Sequence, residues 1–175
     1  MKRRSPPAKR PPAGGAPAGP ALVAHIDGGA RGNPGPAGYG AHVVEEGSGR
    51  VIEIFGYLGV ATNNVAEYAA LLAVLEYATV AGAASLRIFS DSQLLVRQIA
   101  GEYRVKDPRL QVLHAAARRL IAGLGNVRVD HVPREENREA DALANRAMNL
   151  EDSSGPLPAA VRGLPPPSIQ QRLIH

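Results

Sequence analysis

The sequence predicts an α/β fold, a mixed β-sheet flanked by helices with elements in the order βββαβααβα. Three observations carry this expectation. Between Leu22 and Leu58, three short β-rich runs are separated by glycine-containing turns, the pattern of a meander. Asn64 to Ala81 then repeats its large side chains at helical spacing. Beyond that point strands alternate with helices, which calls for crossover connections and so for parallel pairing.

Taken in order, Leu22 to Asp27 is a strand that ends at Gly28-Gly29. The stretch GGARGNPGPAG that follows is dense in turn formers. Tyr39 to Glu46 and Val51 to Leu58 are two strands joined through Gly47-Ser48-Gly49, a hairpin signal. In the helix Asn64–Ala81, Tyr68, Leu71, Leu72, Leu75 and Tyr77 recur at helical spacing, and Gly82 closes it. Leu86 to Phe89 is a strand, and Ser92 to Ala100 a short helix capped by Ser90 or Asp91. Asp107-Pro108 opens a third helix running to about Ala122, with Gly123 and Gly125 beyond it. Val127 to Val132 alternates as a strand, and Glu135 to Met148 is the last helix.

Composition divides the 175 residues into three parts. Residues 1–21 carry Lys2, Arg3, Arg4, Lys9 and Arg10 with no acid, a net charge of +5. Residues 22–150 hold 13 basic and 14 acidic side chains, a net of −1, and residues 151–175 are neutral overall. Eleven of the 15 prolines fall in the two ends. The ends therefore read as tails too poor in apolar surface to order themselves, and 22–150 as the folded domain. The formal +4 of the whole chain is a property of its N-terminal tail, either a solvated segment or a non-specific tether for nucleic acid. Prolines 6, 7, 11, 12 and 17 break any amphipathic targeting helix, and there is no apolar secretory segment. No apolar run approaches the ~18 residues of a membrane span. A cytoplasmic monomer is expected. The C-terminal end, with Leu173 and Ile174 after three prolines, reads as a flexible tail. The absence of cysteine removes disulfides, thiolate nucleophiles and cysteine zinc sites, so any metal must sit on oxygen or imidazole.

Four carboxylates stand where the patterning is otherwise apolar or strand-terminal. Asp27 and Asp91 each end a strand, and ligands in α/β sheets gather outside the carboxyl ends of strands. Asp91 would serve equally as a helix N-cap, and Asp27 before Gly-Gly as a turn former. Glu67 shares its helix face with Ala70, Leu71 and Val74, and Asp141 borders the stripe Ala140, Leu143, Ala144, Ala147. A carboxylate on such a face costs free energy unless something pairs with it. Two anions about 5 Å apart repel by roughly 3 kcal/mol at an effective dielectric of 20, and the pattern places no Lys or Arg among the four. If they converge, divalent cations are the natural partners, and oxygen-only ligands select Mg²⁺ or Mn²⁺.

The stretch from Asp27 through Arg31, Asn33, Pro34 and Gly38 to Gly40 resembles the first signature of type 1 ribonuclease H. Thr62-Asn63-Asn64-Val65-Ala66-Glu67 is similar to that family's helix-opening motif, Asp91-Ser92 to its second-strand motif, and Asn137 through Ala144 to its last-helix motif. The resemblance implies a five-stranded mixed sheet of the ribonuclease H-like fold. It implies endonucleolytic hydrolysis of the RNA strand of RNA–DNA hybrids, leaving 5′-phosphate and 3′-hydroxyl ends. Asp27, Glu67, Asp91 and Asp141 would be catalytic ligands of two Mg²⁺ ions, with Mn²⁺ a substitute. Asn33, Asn63, Asn64 and Asn137 would contact the substrate, with Thr62 near a phosphate of the DNA strand; each Asn would serve equally as a turn or cap residue.

Three features resemble the compact members of that family. The connection Pro133-Arg134-Glu135-Glu136 is too short for the histidine-bearing loop of the better-known bacterial form, and His131 reads as a strand side chain alternating with Val127 and Val129. Between Gln98 and Arg109 there is no long basic excursion, and the chain has no Trp. Arg134 is a candidate for contact near the scissile phosphate. Two rival expectations remain, a hybrid- or RNA-binding module with weak catalysis, and a nuclease that also acts on double-stranded RNA. The glycine-rich stretch lacks the Gly-Lys-Ser/Thr ending of a phosphate loop, which argues against nucleotide binding.

Overall fold

A computed structural model describes residues 19–165. Five strands form one sheet: β1 (Ala21–Ala30), β2 (Gly35–Glu45), β3 (Val51–Ala61), β4 (Ser85–Ser90) and β5 (Val127–His131). Their spatial order is β3-β2-β1-β4-β5, with β1, β2 and β3 antiparallel and β1, β4 and β5 parallel. The helices are α1 (Asn63–Ala81), α2 (Gln93–Ile99), α3 (Pro108–Leu124), α4 (Arg138–Leu150) and the short α5 (Ala159–Arg162). The mixed sheet and the element order match the sequence expectation. Among the described residues no helix is long and apolar enough to cross a membrane.

α1 is apolar on nearly all sides, with ten buried residues. Such a helix belongs between two layers, and it lies between the sheet and α3. Its ends are fixed locally: Thr62 Oγ1 accepts from the Val65 N–H at 3.2 Å, and Gly82 takes the left-handed conformation at φ 63°. α4 covers the other face of the sheet over β1, β2 and β3. Its apolar stripe Ala140, Leu143, Ala144, Ala147 and Met148 is buried, as the sequence periodicity implies.

Three boundaries differ from the sequence reading. The glycine-rich stretch after Asp27 is mostly strand, because Gly28↔Tyr39, Gly29↔Gly38 and Ala30↔Ala37 continue the β1–β2 ladder. Gly28 here serves close packing, and the chain reverses only over residues 31–34. The last helix begins at Arg138, after a 3₁₀ turn over Arg134–Glu136. The third departure concerns the ends. Residues 1–18 and 166–175, which hold most of the expected N-terminal tail and the end of the C-terminal one, lie outside the described residues. Ala21 already belongs to β1. Residues 151–165, expected to be flexible, form a strap. Ser154 Oγ accepts from the Phe55 N–H at 3.0 Å and Ser153 Oγ from the Tyr57 N–H at 2.9 Å, which satisfies donors on the outer edge of β3. Leu157, Val161 and Leu164 then pack against the core, and Glu76 Oε1 accepts from the Ala159 N–H at 2.7 Å.

Candidate active site

β1 and β4 are adjacent and parallel, with Ile26 opposite Ser90, so Asp27 and Asp91 follow at the same level. Asp91 lies just past the end of β4, whereas Asp27, expected to end its strand, lies inside β1, which runs on to Ala30 beside β2. Two glycines let helices bring the other carboxylates to that level. A Cβ on Gly28 would lie 2.4 Å from the Ala66 carbonyl oxygen, so only glycine admits α1, carrying Glu67, this close to β1. A Cβ on Gly40, which pairs with Asp27 across the ladder, would lie 2.5 Å from the Ala140 carbonyl oxygen and from Leu143 Cβ. That gap admits α4, carrying Asp141. All four carboxylates line one polar cleft of 440 Å³, together with Arg31, Asn63, Arg134 and Asn145.

The alternative role for Asp91 is taken by its neighbour. Ser92, not Asp91 or Ser90, caps α2: its Oγ accepts from the Leu95 N–H at 3.2 Å. The same hydroxyl donates to Glu67 Oε2 at 3.0 Å. Ser92 thus holds the Glu67 carboxylate in place while leaving that of Asp91 to the cleft. Ser90 is buried, and its Oγ accepts from the Ser92 N–H at 3.1 Å.

The electrostatics record the crowding. The Asp27 carboxyl is pushed up to about 8, first by burial, then by the charge of Asp91 and by a hydrogen bond and charge shared with Asp141. Glu67 is raised to about 7, mainly by burial, against the lowering effect of the Ser92 hydrogen bond. The sequence pattern placed no Lys or Arg among the four and offered Arg134 as a nearby candidate; Arg134 lines the same cleft, and so does Arg31. Among the described residues, however, the ion pairs are Arg50–Glu45, Arg87–Glu46 and Arg128–Asp130, none of which touches the four carboxylates. Nor do any three carboxylate or imidazole groups, among those described, close on one point tightly enough to hold an ion. Asp27 shares a hydrogen bond with Asp141, and Glu67 accepts one from the Ser92 hydroxyl. In donor chemistry the set still suits divalent cations: four oxygen ligands in one cleft, unneutralised by either arginine.

The expected substrate residues separate into two groups. Asn33 Oδ1 accepts from the Asn63 N–H at 3.0 Å, and Asn63 Oδ1 from the Ala30 N–H at 2.7 Å. These bonds tie the β1–β2 turn to the start of α1 and leave both side-chain NH₂ groups outside them. Thr62 and Asn64 are half-buried at the same helix start, and Arg134 is exposed. Asn137 departs from expectation. It is fully buried, its Nδ2 donates to the Ile26 carbonyl at 2.8 Å, and its own carbonyl accepts from the Asp141 N–H at 3.1 Å. It is a staple between the residue before Asp27 and the first turn of α4, with no face toward substrate. His131 is exposed at the end of β5 and is not among the residues lining the cleft. Sequence reasoning missed Arg31 as a cleft residue and Ser92 as the anchor of Glu67. The signal for Arg31 was its place four residues after Asp27 in the turn.

The reverse transcriptase-like family matches residues 25–147. Ribonuclease HI of Halobacterium salinarum is 44% identical over 126 residues, which cover 72% of this chain and 63% of that protein. Ribonuclease H of Methylococcus capsulatus is 34% identical over 155 residues, covering 80% of this chain and 97% of that protein. The crystal structure of LC11-RNase H1 in complex with RNA/DNA hybrid has a TM-score of 0.70 at 39% identity, over 74% of this chain and 98% of that one. The chain spans only 37% of the length of its matched mycobacterial relatives. Motifs, strand order and these likenesses agree, and the chain belongs to the type 1 ribonuclease H family, in a compact form whose α2 and α3 are joined by residues 100–107 alone.

Proposed function

We propose that this chain hydrolyses the RNA strand of RNA–DNA hybrids by two-metal-ion catalysis, leaving 5′-phosphate and 3′-hydroxyl ends. The observation that carries this reading is the convergence of Asp27 on β1, Glu67 on α1, Asp91 in the step from β4 to α2 and Asp141 on α4 on one polar cleft. A protein that only binds hybrid gains nothing from that much repulsion, so the cluster favours catalysis. Asp27, Glu67, Asp91 and Asp141 would hold two Mg²⁺, or Mn²⁺. Bound there, such ions supply an activated water and charge stabilisation at the leaving oxygen.

The chain's own residues do the positioning. Ser92 fixes Glu67 and the Asn137 staple sets β1 against α4, and with them Asp27 against Asp141. Asn33, Asn63 and Asn64, with Thr62, face the substrate from the turn and the start of α1. A hybrid exposes 2′-hydroxyls on one strand only in its wide minor groove, so donors and acceptors of this kind distinguish the strands without reading sequence. Arg134, which lines the cleft in the turn before α4, would meet a phosphate.

The test is cleavage of end-labelled hybrid, RNA duplex and DNA duplex, with Mg²⁺, Mn²⁺ or chelator. We expect cutting of the RNA strand of the hybrid with either metal, and none with chelator. Equal cutting of all three duplexes would sink the hybrid specificity, and cutting in chelator would sink the metal chemistry. The halobacterial and methylococcal relatives bear ribonuclease names, and LC11-RNase H1 was solved with a hybrid, which supports this choice of substrate.

A further inference from the structure

Arg31 lines the carboxylate cleft, yet none of the roles above uses it. It directly follows β1, and its backbone N–H donates to the Pro36 carbonyl at 2.8 Å, closing the β1–β2 turn. Its exposed side chain reaches across the rim, where Nη2 donates to Asn149 Oδ1 at 2.5 Å. Asn149 sits on the last turn of α4, eight residues beyond Asp141 and so about 12 Å further along the helix axis. Arg134 lies at the other end, in the turn before α4. The two guanidiniums therefore flank the carboxylates along the line of α4.

An arginine beside four carboxylates would ordinarily pair with one of them. Arg31 does not; it is held by a neutral amide, which takes one of its five donors. That arrangement orients a permanent cation without spending its charge. The remaining donors suit bidentate recognition of a phosphate. The strand whose phosphate occupies the carboxylate cluster continues along the same cleft, and under the proposed function that strand is RNA.

We propose that Arg31, oriented by Asn149, binds a backbone phosphate of the RNA strand beyond the scissile one, on the side toward the C-terminal end of α4. It thereby sets how much RNA must extend beyond the cut on that side. This inference rests on the hydrolase reading.

The experiment is a charge scan read with a variant. Hybrids carrying a single uncharged methylphosphonate at successive RNA linkages are cut by wild type and by Arg31→Ala. Affinities are measured with Mg²⁺ by fluorescence anisotropy, in a non-cleaving Asp91→Asn background. We expect Arg31→Ala to raise KM and Kd about fivefold, with a smaller change in kcat, and Arg31→Lys to recover part of the loss. One linkage on one side of the cut weakens wild type by the same factor and leaves Arg31→Ala unaffected. Asn149→Ala gives an intermediate loss of affinity. Unchanged KM and Kd in Arg31→Ala would overturn the assignment, as would a loss that adds to the methylphosphonate effect at every linkage. A lowered melting temperature without an affinity change would assign Arg31 to the turn alone. If wild type cuts hybrid and Arg31→Ala matches it, only this inference falls. If wild type fails to cut hybrid, the proposed function falls as well.

Discussion

Asp27 and Glu67 are carboxyl groups whose protons the folded chain holds more tightly than the unfolded chain does. Protonated, they stabilise the fold. That contribution is complete below the unfolded value near 4 and is lost as pH rises through about 7 for Glu67 and about 8 for Asp27. In chelator, the melting temperature of wild type should therefore fall by several degrees between pH 5 and pH 9, and Asp27→Asn should show a clearly smaller fall. Equal slopes in a thermal-melt series would show that Asp27 is not the strained group. At this scale the sequence was legible wherever a residue type conflicted with its surroundings. Glu67 stands among Ala70, Leu71 and Val74, all of them buried, so its conflict with its surroundings was readable, and it lines the cleft. Asp91 was ambiguous, because cap and ligand share one position in a strand-to-helix step; only the capping bond of Ser92 separates them. Asn137 could not be read correctly at all, since nothing local says that its amide turns inward to the Ile26 carbonyl, 111 residues away.

Among the elements, α1 and α4 owe their approach to Gly28 and Gly40. Gly40→Ala puts a methyl group 2.5 Å from backbone and side chain of α4, and overpacking of this kind costs about 1–3 kcal/mol. It should lower activity more than tenfold by lifting Asp141 away from Asp27. Gly123→Ala, in an open stretch of α3, should instead be neutral or stabilising by about 0.5–1 kcal/mol. Denaturant melts beside cleavage rates decide between this account and a general intolerance of the fold. The strap is open to a similar test. Replacing Ser153 and Ser154 together by Ala leaves edge donors of β3 without their partners, and should cost about 1–3 kcal/mol with little effect on kcat. Unchanged stability would mean that the strap merely rests on the sheet. The elements themselves were largely visible, because their periodicities are strong and α3 carries its cap in Asp107-Pro108. The strap was not. Its composition resembles that of a tail, and its order comes from contacts with β3, α1 and α3 that lie far away in sequence.

For the whole molecule, the formal charge of +4 describes no single part of the chain. The charge is instead divided, with +5 in residues 1–21 and −1 across 22–150. The domain carries its anions at the cleft, and bound divalent cations would reverse the sign met by a phosphate backbone. The N-terminal charges are a separate affinity term. Deleting residues 1–18 should weaken hybrid binding at low salt and reduce the slope of log K against log[salt] by up to about 4, with kcat unaltered. An unchanged slope would mean that these residues do not meet the substrate.

The central claim is that the four converging carboxylates form one catalytic unit. Single-turnover cleavage of a hybrid in Mg²⁺ by wild type and Asp91→Asn tests it most directly. The account predicts a rate lowered by at least about 100-fold, the scale of losing one transition-state contact of this kind, in a protein that melts normally and still binds the hybrid. Cleavage by Asp91→Asn at the wild-type rate would contradict it.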